Sequence, residues 1–592
     1  MGVRIELLSR ESLDSNKEIV TRIPIRVYSI DADLTEAELD AAKELLIDPI
    51  TDEFAIDKSV LGTYVTNFGE ASVIEVTPKP GVTDPHGQQV SKVLEELIGR
   101  KVDISFSEQY LRKGYLNDEE FKILRKRLSH ANPVINDYRV LKIDRDWNPS
   151  KHFEFEFPTV KVEDMPLFQY IDLDVSDEDL MKISDDRYVA MNLSEMKTIQ
   201  KLFQGNLKGY EDFLERRKAV GLDAMPTDVE IEELGQTWSE HCKHKKLNGL
   251  WYYTSDDPND ESGLPEVVDS LFKTIIAGTT YKIEKKVDYL VSIFKDNSGV
   301  VRLNDKWNIA HKVETHNHPS SIDGFGGANT GSGGVFRDPN MTGLGMIVVS
   351  SQYAFRFALP EDFPNLPDDV QDPRRTLETV VWGVEDYGNK MGIPTQYGDL
   401  MFDRGWLKGA VYVGAVAVQK KVVAGKQTHE KTVKSGYIGI SLGGGVGKDG
   451  IHGATGSSES LDVDAEKRDD VNQSVQIGNP IVEKEVFEVE QILLELGYIE
   501  AAQDCGAGGW NSAIGELSEI SGGGKLDLTN VPEKYQGLMS WEKTISESQE
   551  RNVLVIKPEH LDKIMDICTH YGVSATKIAE FTDDGYYQII DH

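Results

Sequence analysis

Apolar positions along the chain fall into short blocks of period two and longer blocks of helical period. Near the start Ile23, Ile25 and Val27 alternate as on a strand with one buried face. Thr35 and Glu38 then make a capping box before a helix that would turn Leu39, Ala42 and Leu46 inward. A hairpin-like stretch follows, after which SVIEV leads through TPKPGVTDPHG into a second helix. Its Val90, Val93, Leu94 and Leu97 recur at i, i+3, i+4 and i+7, and VDISF alternates again. The first 110 residues thus predict two strand-helix-strand units in a small α+β domain.

Residues 115 to 235 mix helical stretches with polar, Pro-containing connections and read as a linker domain. From Pro226 the pattern sharpens. Thr227 and Glu230 form a second capping box, and Ile231, Leu234 and Trp238 share a helical face that is expected to run on into His241. Glycine then becomes dense around residues 324 to 334 and 443 to 456, the mark of backbone that turns sharply or approaches a ligand closely. Strand and helix candidates alternate between and after these runs, among them YIGISL, KEVFEVEQILLELG and HLDKIMDICTHYG. They predict two α/β domains, one ending near residue 425. Asp583, Asp584 and Gly585 make a turn before a final strand, YYQII.

Length changes this picture only by requiring several domains, since 592 residues exceed one core. Charge changes it more. With 100 acidic against 64 basic side chains the formal net charge is -36, which repels a nucleic-acid backbone and leaves any anionic ligand to local groups. No stretch reaches the ~18 uninterrupted apolar residues of a membrane span, and the N-terminal residues lack a secretory or transit pattern, so a cytoplasmic protein is expected. Three scattered cysteines, Cys242, Cys505 and Cys568, fit a reducing compartment.

The densest chemistry lies in KVETHNHPSSIDGFGGANTGSGGVFRD, residues 312 to 338. On a strand, a period of two would bring Lys312, Glu314 and His316 to one face. The glycine run after them suits backbone N–H groups around phosphate oxygens, with Arg337 as a charge clamp and Asp338 as a metal ligand. An HxH pair such as His316 and His318 can also be satisfied strand histidines or a zinc site. In TWSEHCKHK, His241 and His244 sit at i and i+3 of a helix, although on spacing alone His241 extends the Trp238 stripe into the core. LGGGVGKDGIHGATGSS, residues 442 to 458, is a second phosphate-loop candidate without Walker order, and alone it reads equally as a mobile surface loop. Gln476, Asp504, Glu547, Ser548, Gln549 and Arg551 lie in further polar clusters beside glycine or at element ends.

Taken in order, TWSEHCKHK, KVETHNHPSSIDGFGGANTGSGGVFRD, EDYGNKMGIPT, GKDGIHGATGSSES, VQIGNPIVEKE, QDCGAGGWNSAIGELSE and SWEKTISESQER resemble the formylglycinamide ribonucleotide amidotransferase (PurL) family over roughly residues 226 to 592. SVIEVTPKPGVTDPHG is similar to PurS, a small companion subunit. The resemblance implies an α+β architecture: a PurS-like domain (1–115), a linker domain (116–235), and AIR-synthetase-like A (236–425) and B (426–592) domains. It implies the joining of ammonia derived from glutamine to formylglycinamide ribonucleotide with cleavage of ATP. Carried over by position, His241 matches an active-site histidine and His316 the proton acceptor. His244 and Lys312 match ATP contacts, and Glu314, Asp338 and Asp504 match Mg2+ ligands. Thr315, His316, Asn317, His318, Arg337, Gln476, Glu547, Ser548 and Gln549 match substrate contacts. Complete members carry a second A and B pair and obtain ammonia from a glutaminase, so a second half, from another chain or by self-association, and a separate glutaminase subunit are the expected partners. Three other readings remain: a homodimeric phosphotransferase of the same superfamily, a zinc hydrolase using His241, His316 and His318, and a non-catalytic half that acts only with its partner.

Overall fold

The computed structural model describes residues 2–13, 19, 21, 23–62, 70–125, 132, 135–144, 147–150, 153–160, 165–363, 365–367, 370–457 and 476–592. The chain divides into two compact units, Met1–Lys161 and Val162–His592.

In the first unit six strands form one antiparallel sheet in the order Asp52–Ile56, Val3–Ser9, Ile25–Ile30, Ile104–Lys113, Ala71–Pro78, Asn136–Ile143. The Thr35/Glu38 capping box forms and starts the Glu36–Leu46 helix. That helix and Pro85–Ile98 bury Ala42, Leu46 and Leu94 against Ile5, Leu7, Tyr28, Ile30 and Ile104. Leu97, expected inward, is 60% exposed, because the buried line of its helix runs through Val90, Leu94 and Ile98. The strand Val3–Ser9, not among the expected elements, alternates Val3, Ile5 and Leu7 with Arg4 and Glu6, yet the polar face is buried as well. Its Arg4 and Glu6 are buried as a hydrogen-bonded pair at 3.1 Å, with Glu75 of Ala71–Pro78 and Gln109 of Ile104–Lys113 completing the cluster.

The second unit begins with a helical cluster. Asp177–Asp186, Leu193–Phe203 and Asp228–Thr237 pack around Leu180, Met196, Ile199, Phe203 and Ile231. The Thr227/Glu230 capping box also forms. A six-stranded sheet follows, ordered Thr395–Phe402, Ile347–Phe357, Ala410–Lys420, Trp307–Thr315, Val300–Arg302, Leu290–Ser292. The helices Gly324–Asn340 and Pro373–Met391 pack on one of its faces through Ala328, Val335, Phe336, Val380 and Tyr387, which meet Tyr353, Phe355 and Val413. On the opposite face Val313, Ile347, Val349 and Tyr397 remain 40–55% exposed.

The last sheet runs Ile499–Asp504, Arg551–Ile556, Ile438–Gly443, Ala575–Phe581, Gly524–Asp527, Tyr587–Ile590. Strand alternation divides it cleanly. Val553 and Val555 meet the Gly509–Ser521 helix, whereas Leu554 and Ile556 meet Pro480–Glu495 and Leu561–His570. Among the described residues no helix is long and apolar enough to cross a membrane.

Candidate functional site

A cavity of about 350 Å³ lies in the second unit, where the two sheets and the helical cluster converge. Its wall includes eleven of the residues singled out in the sequence: His241, Lys312, Glu314, His316, His318, Arg337, Asp338, Gln476, Asp504, Glu547 and Gln549. His244, Thr315, Asn317 and Ser548 lie outside the wall. Asn317 accepts from the Val411 N–H at 2.8 Å, and Ser548 donates to Asp449 at 2.7 Å, so both brace backbone beside the cavity.

The strand Trp307–Thr315 delivers Lys312 and Glu314 on one face, as its period requires. His316 follows the strand's last residue as the N-cap of the Asn317–Ile322 helix, and its backbone N–H still bonds Val411 O at 2.8 Å. The His316 Nδ1 lies 2.7 Å from Gly327 O. Because a carbonyl only accepts, Nδ1 carries the proton and Nε2 keeps a basic lone pair. Burial lowers the imidazole below its ordinary value, which holds it neutral.

The glycine run of residues 324 to 334 is not a phosphate loop. It forms the first part of a buried helix, Gly324–Asn340, capped by Asp323, whose carboxylate accepts the Gly326 N–H at 2.6 Å. Glycine is needed there because other protein comes close: a Cβ on Gly331 would stand 2.9 Å from His316 Cγ. The helix carries Arg337 and Asp338 into the wall from its last turns.

The other glycine run, 442 to 457, is largely buried rather than a mobile surface loop, and Ser458 of that motif lies outside the described residues. Gly443 has φ +101°, with Glu550 O where a Cβ would be. The Gly447 N–H donates to Ser548 Oγ at 3.0 Å, and the Ala454 N–H donates to Glu547 Oε1 at 3.1 Å.

The expected helical face joining Trp238, His241 and His244 is broken. The Asp228–Thr237 helix ends at Trp238, Ser239 caps a new single turn, Glu240–Lys243, and His244 is left-handed with φ 47°. The break turns His241 out of the core and onto the cavity wall.

Two sets of polar groups line the cavity and meet where Arg337 lies 3.7 Å from Asp504. One is acidic. Lys312 Nζ lies 2.7 Å from Asp338 and 3.2 Å from Glu314, and it donates to Asn297 O at 3.2 Å. Burial and the facing Asp504 push the Asp338 carboxyl up to about 8. The other set is a chain of amides. Arg337 donates to Gln549 at 3.0 Å, Gln549 to Gln476 at 2.6 Å, and Gln476 to Glu547 at 2.9 Å. Burial pushes the Glu547 carboxyl up to about 7.

Among the described residues no three His, Cys, Asp or Glu side chains stand at metal-binding spacing. In charge, Glu314, Asp338 and Asp504 nevertheless fit a hard divalent cation. They are oxygen donors, and the repulsion that raises Asp338 is what such a cation would cancel. In spacing, the Lys312 ammonium now stands between Asp338 and Glu314.

Sequence reading passed over Asn297, Gln503 and Glu516, which also line the cavity. Asn297 donates to Asp504 at 2.8 Å, and Gln503 donates to Asn297 and Glu516 at 3.0 and 2.9 Å. Gln503 adjoins Asp504 in QDCGAGG and could have been noticed. Asn297 lies in a turn with no pattern of its own.

Three family descriptions match the second unit: the formylglycinamide ribonucleotide amidotransferase linker domain at residues 180–245, the AIR synthase related N-terminal domain at 295–418, and its C-terminal domain at 440–592. Phosphoribosylformylglycinamidine synthase subunit PurL of Methanopyrus kandleri is 31% identical over 380 residues, covering 63% of this chain and 46% of that protein. The subunit of the same name from Cutibacterium acnes is 34% identical over 375 residues, covering 62% and 44%. The chain thus spans about half the length of the curated relatives it matches. Among solved structures, Thermotoga maritima PurL complexed with FGAR is 28% identical with a TM-score of 0.48, over 64% of this chain and 53% of that one.

Proposed function

We propose that this chain, which belongs to the PurL family, forms the synthetase site that converts formylglycinamide ribonucleotide into formylglycinamidine ribonucleotide with ATP and glutamine-derived ammonia, in purine biosynthesis in the cytoplasm. The observation that carries the reading is one cavity that gathers His241, His316, an acidic pocket with Lys312, and the Arg337–Gln549–Gln476–Glu547 chain from five separate motifs. Domains are assigned accordingly: PurS-like 1–115, linker 116–235, A 236–425 and B 426–592.

In this reading the amide oxygen of the substrate attacks the γ-phosphorus of ATP and ADP leaves. Ammonia then adds to the activated carbon and phosphate departs. His316 takes the proton that ammonia loses, through the lone pair left on Nε2. His241 faces the same space from the linker side. Lys312 offers a cation to the ATP phosphates, with His244 nearby as a second nucleotide contact. The amide chain, with His318, Thr315, Asn317 and Ser548, positions the ribonucleotide. Glu314, Asp338 and Asp504 would hold Mg2+, which when bound neutralises phosphate charge. A second A and B pair and a glutaminase complete the assembly.

The test is ATP cleavage by the chain, alone and with a candidate second half, in the presence of ammonia, Mg2+ and different acceptors. Formylglycinamide ribonucleotide is expected to raise ADP release and to yield the amidine. Stimulation by another acceptor instead, or hydrolysis that needs tightly bound zinc and no nucleotide, overturns the reading.

A further inference from the structure

The DGIHGAT segment contributes Gly453 and Ala454 to the cavity wall, but the reaction scheme gives no role to the histidine before them. His452 is 6% exposed and left-handed, φ 57°, a conformation rare for a residue with a side chain. It persists only if its surroundings hold it. They do so on three sides. Nε2 lies 2.7 Å from Glu232 Oε2, and since a carboxylate accepts, Nε2–H donates. The ring stacks on Trp541 at 6.1 Å and 16°, and Tyr188 meets its edge at 6.0 Å.

Glu232 is itself buried, and Arg187 donates to its other oxygen at 3.1 Å while lying over the Trp541 ring. One helical turn further on, Gln236 accepts from Thr455 at 3.4 Å. The Asp228–Thr237 helix therefore grips the glycine segment at two points, on either side of Gly453 and Ala454. Two residues after His452, the Ala454 N–H reaches Glu547, and the Gly456 N–H closes onto His452 O at 2.8 Å.

We infer that His452, clamped by Glu232, is a positioning residue that fixes the left-handed turn of the glycine segment, and through the Ala454 N–H the Glu547 end of the amide chain. The consequence for ribonucleotide binding rests on the synthetase reading; the ordering of the segment does not.

The test compares His452→Ala, Glu232→Gln, the double variant and His452→Gln, which keeps a donor at the reach of Nε2. Two readouts are taken on the full chain: amide exchange of residues 449–457, and calorimetric affinity for formylglycinamide ribonucleotide. Breaking one buried charged hydrogen bond is expected to speed exchange there ~10-fold or more and to weaken binding about as much, while the Arg551–Ile556 strand keeps its protection. The double variant adds little to either single change, and His452→Gln recovers most of both. Unchanged exchange in His452→Ala, acceleration spread equally into that strand, or faster exchange with undiminished binding each overturns the inference. A wild-type chain that binds no ribonucleotide even with a second half present refutes the synthetase reading, while the exchange data still decide the clamp.

Discussion

At the scale of single residues, the site depends on which atoms keep a usable proton or lone pair. His316 donates from Nδ1 to Gly327 O, so its chemistry resides in Nε2. His316→Ala is expected to lower turnover ~10²–10⁴-fold, as loss of a general base does. A variant keeping more than about a tenth of wild-type turnover, measured with a second half present, defeats that role. Glu547 offers a separate check through stability. Its carboxyl is pushed from 4.5 up to about 7, chiefly by burial. Between those values the unfolded chain has released the proton and the folded chain still holds it. The folded state therefore loses stability as pH rises from about 4.5 to 7, by an amount on the order of 3 kcal/mol, and stays level above. Glu547→Gln removes that slope. Denaturant unfolding at pH 5 and pH 8 should show wild type losing more than the variant, and equal losses would refute the buried carboxyl as the cause.

At the scale of elements, the glycine-rich helix shows how far sequence could be read. Glycine density correctly signalled close approach, but what approaches at Gly331 is His316 rather than a phosphate. Gly→Ala inside a helix ordinarily stabilises by ~1 kcal/mol. Here the added Cβ would lie 2.9–3.0 Å from His316 Cγ and Cβ, so the imidazole must move. Gly331→Ala is expected to cut turnover at least ~10-fold, since ~1 Å misplacement of a reacting group is costly. An active and more stable variant would show the contact to be idle. The break in the linker-side helix that sequence missed has a physical reason. Period continued from Trp238 to His241 on paper, but the Ser239 cap restarts the helix and leaves His244 left-handed. The first strand was legible, since Val3, Ile5 and Leu7 alternate with Arg4 and Glu6; what sequence could not show is that Arg4 and Glu6 are buried too, paired to each other. The capping boxes at Thr35 and Thr227 were legible because two side chains three residues apart specify them locally. Most wall residues were legible as a list from the resemblance, but their amide chain was not, since Gln476 and Gln549 are 73 residues apart.

At the scale of the whole molecule, the Ile347–Phe357 sheet is covered by helices on one face only. Its other face leaves Val313, Ile347, Val349 and Tyr397 open across three strands, and grouped apolar side chains on a sheet face mark an interaction site more often than scattered ones do. Val313 lies between Lys312 and Glu314, so whatever covers this face also abuts the strand that supplies the acidic pocket. We expect the cover to be a second A and B pair, and an obligate pair commonly buries ~2,000 Å² or more. Replacing Ile347 and Val349 together by Asp places two charges in that seam without touching the cavity wall. Mass in solution and turnover with ammonia, ATP, Mg2+ and formylglycinamide ribonucleotide should then separate. The wild-type chain should pair, with itself or with an added second half, and gain activity on pairing. The double variant should stay monomeric, inactive and folded by circular dichroism. A wild-type monomer with full activity, or a double variant that pairs as tightly as wild type, removes this face as the seam. An active homodimer keeps the seam and makes the second half another copy of the same chain.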